Sequence, residues 1–198
     1  MRLPKGYLGI CHKNSIAFTV PAALEWTHSV LSSGATLYDW ASQHSTKEML
    51  AGRGRVFIFP TAGSTENATH WIVRHYQRGG ILARHLDDRY LVTRTPRPLK
   101  ELQASVEARS RGIPTPRIIG GAAYRSGVFY RAELVTEYLS DVTDLASVVF
   151  GVNERNMALC TTALHAAGKL VSLLEKERVA HADLNASNIL VNQLGGHS

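Results

Sequence analysis

The segment HADLNASNIL, residues 181–190, sets His181, Asp183 and Asn188 in the order H-x-D-x-x-x-x-N and runs into the apolar triplet Ile189, Leu190, Val191. In phosphoryl transfer an aspartate orients the attacking hydroxyl and accepts its proton. An asparagine five residues on reaches a magnesium ion held by the nucleotide's phosphates. Asp183 and Asn188 have this spacing. His181 is expected to hold the loop by hydrogen bonds. Asp and Asn are also common turn formers, so the setting carries the assignment: an amphipathic helical stretch before the loop and an apolar strand after it.

The same chemistry requires further parts upstream. Phosphates need close backbone approach, hence glycines on a strand hairpin; AGRGRVFIF supplies Gly52 and Gly54 there. A lone G-x-G is more often only a turn. The next strand should carry a cation toward the phosphates, and WIVRHY supplies Arg74, whose guanidinium can grip phosphate oxygens in bidentate fashion. A helix should then offer that cation a carboxylate. Glu101, near the start of RPLKELQASVEARS, is preferred to Glu107 near its end. In ELVTEYLSD, Glu137 to Leu139 form a connector whose backbone can serve the adenine, with Thr136 at its entrance. The parts occur in the required order. They predict an α+β, protein-kinase-like fold with a β-rich nucleotide-binding lobe and N-terminal extension over 1–139. A helical lobe carrying the catalytic loop follows over 140–198.

The elements follow from periodicity. Residues 53–59 read as an apolar strand and 68–76 as a second, joined into a hairpin by TAGSTEN, with Trp71, Val73 and His75 on one face and Ile72, Arg74 and Tyr76 on the other. Leu99, Leu102 and Val106 predict a helix over 97–111, stopped at Gly112 with Pro114 beyond. TPRIIGGAAY and GVFYRAELVTEYL predict two strands around a glycine turn. A helix over 153–178, capped by Asn153, should carry an inward stripe of Met157, Cys160, Leu164, Ala167, Val171 and Leu174. No element is assigned before residue 51.

Bulk composition is compatible with this. Of 198 residues, 44% are hydrophobic, enough for a core, and 19% are charged, which excludes a disordered or coiled-coil chain. Cys11 and Cys160 are too far apart to suggest a disulfide framework or paired metal ligands. No apolar run of about 18 residues points to a membrane span. A net charge of +6 suits an anionic partner: nucleic acid, nucleotide or an acidic membrane surface.

AGRGRVFIF, WIVRHYQRGGILARHL, GIPTPRIIG, GVFYRAELVTEYL and HADLNASNILV together resemble the bacterial 3-deoxy-D-manno-octulosonic acid (Kdo) kinases of lipopolysaccharide core assembly, from about Gly52 to Val191. HADLN in place of HRDLK separates the chain from ordinary protein kinases. The resemblance implies transfer of the ATP γ-phosphate to the 4-hydroxyl of a Kdo residue on a Kdo-lipid A type glycolipid. It places the work at the cytoplasmic face of the Gram-negative inner membrane, by a peripheral protein that uses ATP and Mg2+ and no nucleic acid. It implies Asp183 as catalytic base, Asn188 as magnesium ligand and Arg74 with Glu101 as the phosphate-positioning pair. Gly52, Gly54, Glu137 and Leu139 are then the other nucleotide-binding residues.

Arg74, Arg78, Arg84, Arg89, Arg94 and Arg97 fit such an acceptor, which carries carboxylate and phosphate; Arg78 and Arg84 are the candidate substrate contacts. Asp87 and Asp88 stand available to pair with some of these arginines, and a solvated charged face would read the same way. An atypical kinase acting on a protein or an aminoglycoside, and a catalytically dead remnant that binds nucleotide or lipid, are the competing readings. Kinases also use a second metal-binding aspartate about a dozen residues after the asparagine. ILVNQLGGHS holds none. The chain is therefore expected to be C-terminally truncated, with an incomplete helical lobe, and to be poorly active and poorly stable as it stands.

Overall fold

The computed structural model describes residues 2–51, 54–61, 70–77, 88–151, 157–181 and 183–192. They fall into two compact units, Met1–Glu107 with Thr115–Tyr138, and Ala108–Pro114 with Leu139–Ser198.

The first unit is built on an antiparallel sheet. Its strands are β1 (Leu8–His12), β2 (Ser15–Thr19), β3 (Lys47–Ala51), β4 (Gly54–Pro60), β5 (His70–His75), β6 (Tyr90–Leu91), β7 (Ile118–Ser126) and β8 (Phe129–Glu137). Among the described residues the order is β1-β2-β7-β8-β5-β4-β3, with β6 also paired to β8. The β4–β5 hairpin expected from sequence is present, in a register that sets Val56 opposite Arg74. β7 and β8 meet in a two-residue turn at Gly127, whose φ of +61° is the value that glycine reaches without strain.

Helices cover both faces of the sheet. α1 (Leu24–Ser33) and α2 (Leu37–His44) bury Val30, Leu31, Leu37 and Ala41 against Phe57, Phe59, Trp71, Val73 and Val135. α3 (Arg97–Ser110) buries Leu99 and Leu102 against the other face, with Phe18, Tyr76, Tyr130, Ala132 and Leu134. Two-sided cover explains why Ala132, Glu133, Leu134 and Val135 are buried consecutively rather than alternately. It also sorts β5. Trp71 and Val73 face α1 and α2, while Tyr76 lies in the α3 core.

Residues 8–51 hold three strands and two helices where no element was assigned. α1 and α2 are only 10 and 8 residues long. Helices that short depend on tertiary packing more than on propensity, so a weak local pattern concealed them. Thr36 caps α2 by accepting the backbone N–H of Asp39 at 3.0 Å.

α3 ends as the sequence predicts. Gly112 sits at φ +78°, Ile113 N–H donates to Ala108 O, and Gly112 N–H donates to Arg109 O, each at 3.0 Å. This is the paired termination that a left-handed glycine allows.

The second unit holds β9 (Val142–Asp144), α4 (Leu145–Phe150), α5 (Met157–Lys176) and β10 (Leu190–Asn192), which pairs with β9. α5 bears out half of the predicted stripe. Cys160, Ala163, Ala167 and Leu174 are buried, whereas Met157, Leu164 and Val171 are exposed. Ala163 and Ala167 pack with Leu145, and Leu174 with Ala108 and Ile113. Small residues let α4 approach, so the inward face follows the neighbours and not the largest apolar side chains. Asn153, expected as the cap, lies outside the described residues. α5 is long and apolar enough, by length and composition, to cross a membrane, although no uninterrupted apolar run marks it.

Gly121 of β7 faces Phe18 of β2. A Cβ there would stand 2.7 Å from Phe18 Cζ and 3.1 Å from Glu133 O. Phe18 is buried and cannot swing into solvent. Gly121→Ala is therefore expected to lower unfolding stability by about 1–3 kcal/mol, the usual cost of an extra carbon in a packed core, read as a shifted urea midpoint with an unchanged slope.

Candidate active site

Arg74 leaves β5 on the face covered by α3. Its Nη2 donates to Glu101 Oε2 at 2.9 Å, across 27 residues of sequence. Glu101 lies one turn into α3, so it reaches the strand that Leu102 packs upon. The structure thus brings together the two residues that sequence reasoning paired. It adds three neighbours. Arg97 Nε donates to the other oxygen, Glu101 Oε1, at 3.3 Å, and its Nη1 donates to the Tyr90 hydroxyl at 3.2 Å. The Arg97 guanidinium lies 4.8 Å from the centre of the Tyr76 ring, a cation–π contact. Burial first, then the Glu101 charge, pushes the Tyr76 hydroxyl far up, so it stays protonated beside the arginines.

On the opposite face of β5, His75 enters a buried polar network. Glu133 of β8 is 1% exposed. Its Oε2 accepts the Tyr124 hydroxyl at 2.7 Å and the Tyr38 backbone N–H at 3.0 Å, and its Oε1 lies 3.5 Å from His75 Nδ1. The Tyr124 hydroxyl in turn accepts the Leu37 N–H at 2.8 Å. His75 Nε2 meets Asp88 Oδ2 at 2.9 Å, and Arg131 Nε meets the same oxygen at 2.8 Å. Among the described residues Asp88 therefore serves His75 and Arg131. Burial alone would lower the His75 pKa, but hydrogen bonds and charge from Glu133 and Asp88 outweigh it and raise the value above the ordinary 6.5.

In the second unit, Asp183 and Asn188 are joined directly. Asn188 Nδ2 donates to the Asp183 backbone oxygen at 2.7 Å and lies 3.5 Å from its Oδ2. Asn185, which sequence reasoning passed over, completes the loop. Its Nδ2 donates to Asp183 Oδ1 at 3.1 Å, and its Oδ1 accepts the Ser187 N–H at 2.9 Å, opening the short 3-10 turn Ala186–Asn188. The readable signal was the N-x-S spacing of a side-chain turn.

Ile189 and Val191 pack with Ala186 around Leu145, Ala163 and Ala167, and the Leu145 N–H donates to Ile189 O at 2.8 Å. The loop is thereby pinned to the start of α4. Asp144 caps that helix by accepting the Ser147 hydroxyl and N–H, which hold its carboxyl below the usual range. His181 departs from expectation: its exposed ring has no hydrogen-bond partner among the described residues. The loop is held instead by Asn185 and Asn188.

Gly52, Arg78 and Arg84 lie outside the described residues. Gly54 opens β4, and the atoms nearest a Cβ there would be those of the Gln77 side chain, the first at 3.2 Å. Glu137 ends β8, where its carboxylate accepts the Arg117 N–H at 2.6 Å and its own N–H donates to Arg117 O. Its side chain is thus engaged within the first unit. Leu139, half-buried, is the residue at which the second unit resumes. Among the described residues no group of three or more His, Cys, Asp and Glu side chains gathers to hold a metal.

The lipopolysaccharide kinase (Kdo/WaaP) family profile matches residues 40–197. The chain belongs to this family. It is 36% identical over 154 residues to a 3-deoxy-D-manno-octulosonic acid kinase of Xylella fastidiosa (strain 9a5c), covering 77% of this chain and 57% of that protein. A kinase of the same description from Vibrio vulnificus (strain CMCP6) is 27% identical over 173 residues, covering 85% and 68%. One from Xanthomonas euvesicatoria pv. vesicatoria (strain 85-10) is 37% identical over 131 residues, covering 65% and 49%. The chain spans 57–59% of the length of the Xylella relatives. No solved structure matches it. As a Kdo/WaaP family member with this sheet and these helices, it has an α+β fold of the kinase-like kind.

The network around His75 has a pH signature. A folded-state pKa raised above the unfolded value of about 6.5 contributes stability that is complete below that pH and is lost as pH rises through the folded value. Thermal melts between pH 6 and 9 should show stability falling with pH, by at most about 1.4 kcal/mol per pH unit for one proton. His75→Gln should flatten that fall. An equally steep fall in the variant would mean that another group titrates.

Proposed function

We propose that this protein works as a Kdo kinase of lipopolysaccharide inner-core assembly. It would transfer the γ-phosphate of ATP to the 4-hydroxyl of a Kdo residue on a Kdo-lipid A type glycolipid. The observation that carries the reading is the Arg74–Glu101 ion pair. It joins a strand cation to a helix carboxylate, as a kinase site requires, in a chain whose relatives are named Kdo kinases.

Each residue then has a task. Arg74, steadied by Glu101, grips phosphate oxygens. Gly54, at the start of β4, and Gly52 let backbone approach the phosphates. The backbone from Glu137 to Leu139 serves the adenine. Asp183 accepts the proton of the sugar hydroxyl as its oxygen forms a bond to the γ-phosphorus; the bond from that phosphorus to the bridging oxygen breaks and ADP departs. The Asp183 carboxylate is exposed and, among the described residues, receives only amide donors from its own loop, which leaves oxygen lone pairs open to an incoming hydroxyl. Asn188 commits Nδ2 to the loop. Its Oδ1 remains as a hard oxygen donor of the type that Mg2+ accepts, so the residue fits a magnesium-ligand role. The ion, when bound, neutralises phosphate charge.

Arg78 and Arg84 are the proposed contacts to the acceptor's anionic groups. With the other arginines of residues 74–97 they would hold the protein peripherally on the cytoplasmic face of the inner membrane. Basic residues near an anionic surface contribute roughly 1 kcal/mol each.

Two measurements test this reading. Radiolabelled phosphate transfer from ATP to Kdo-lipid A should fall about 10²–10⁴-fold in Asp183→Asn while ATP binding persists; near-normal turnover in the variant removes Asp183 from the base role. Co-sedimentation with anionic vesicles should weaken on Arg78→Ala or Arg84→Ala. It should weaken also with added salt, since the screening length is only about 8 Å at physiological ionic strength. Binding indifferent to both would make those arginines an ordinary solvated face.

A further inference from the structure

Glu101 is one carboxylate held between two guanidiniums. Arg74 takes Oε2 at 2.9 Å and Arg97 takes Oε1 at 3.3 Å. Among the described residues two positive charges meet one negative charge, and both arginines remain about half exposed, at 51% and 49%. A cluster that served only to hold α3 on the sheet would need one arginine. The second brings a cost. Arg97 is the first residue of α3, and the first turn holds no acidic residue. A helix start carries partial positive charge and disfavours a cation there. Arg97 is nonetheless fixed in place: over the Tyr76 ring at 4.8 Å, by Nη1 to the Tyr90 hydroxyl, and with its backbone N–H donating to the Tyr130 hydroxyl at 3.1 Å. Nη2 of Arg97, and Nε and Nη1 of Arg74, have no acceptor among the described residues. An anion bridging the two forks would remove both the excess charge and the conflict with the helix start.

We propose that Arg97 is a second phosphate-binding residue: it forms with Arg74 a two-guanidinium clamp, spread by Glu101, for the polyphosphate chain of the nucleotide. The proposal deepens the nucleotide reading of Arg74 and rests on it. Arg97 thereby acquires a direct ligand contact that the general arginine richness of residues 74–97 does not specify. Tyr76 is the positioning residue that keeps the fork flat.

The test uses titration calorimetry with three probes, ATP, inorganic tripolyphosphate and adenosine. Losing a charge-assisted hydrogen-bonded contact should weaken ATP and tripolyphosphate binding by about tenfold or more in Arg97→Gln. Adenosine binding should not change. Arg97→Lys restores charge without the fork and should recover part of the loss; it also serves should Arg97→Gln fail to fold. Arg125→Gln, near the end of β7, removes the same charge elsewhere and should leave all three affinities unaltered. Tripolyphosphate affinity within twofold of wild type in Arg97→Gln overturns the proposal. So does an equal loss in Arg125→Gln, which would mark a general charge effect, and so does a wild-type protein that binds neither ATP nor tripolyphosphate. Phosphate transfer to Kdo-lipid A, measured on the same preparations, separates the two readings. Transfer unaffected by Arg97→Gln leaves the kinase reading standing without the clamp. Arg97-dependent tripolyphosphate binding without transfer leaves the clamp standing without the kinase.

Discussion

A buried carboxylate sets the constraints on the first unit. Glu133 sits in the middle of β8 with apolar neighbours on both sides, and its charge cannot be left unpaired there. Its partners come from three other elements: Tyr38 at the start of α2, Tyr124 on β7 and His75 on β5. Satisfying one side chain thus fixes a helix start and two strands against a third. Breaking such an arrangement by removing a partner typically costs about 3–5 kcal/mol, since it strands the remaining charge. Asp88 and Arg131 extend the network toward the surface, Asp88 setting its negative charge between His75 and the Arg131 guanidinium.

The functional consequence lies on β5. Strand alternation sends His75 to the Glu133 side and its neighbour Arg74 to the α3 side. One residue is held by buried carboxylates, and the next is offered to Glu101. Locking His75 therefore aims Arg74, because a shift of one residue in register would exchange the two faces. The register across β4, β5 and β8 sets Arg74 between Val56 and Leu134. Arg74, proposed to face the phosphates, inherits its direction from a polar network on the far side of the sheet.

The Asp183–Asn188 loop is built by a different principle. Its geometry comes from side-chain amides that bond to backbone and carboxylate within six residues, with Asn185 at the centre. Tertiary structure adds only the anchor: Ile189 and Val191 packed beside Leu145, and the β9–β10 pairing. A largely local construction suits the base role proposed for Asp183, since the loop needs no burial to hold its shape.

What could be read from the sequence was what depends on short spacing. H-x-D-x-x-x-x-N, the β4–β5 hairpin, the α3 stop at Gly112 and the Arg74–Glu101 pairing all rest on local chemistry or on an ordered set of local parts. The elements before residue 51 were not legible. The inward face of α5 was legible in half: Cys160, Ala167 and Leu174 are buried as expected, while Met157, Leu164 and Val171 are exposed. In both cases the decision belongs to the neighbour. A short helix takes its stability, and a long one its orientation, from the surface it meets. The same holds for Glu133, which in sequence is one acid among apolar residues, and for Arg97, which is one arginine among six. Residue types and their spacing determined which chemistry this chain can carry. Packing decided which side chains point at it, because burial and charge pairing depend on groups far away along the chain.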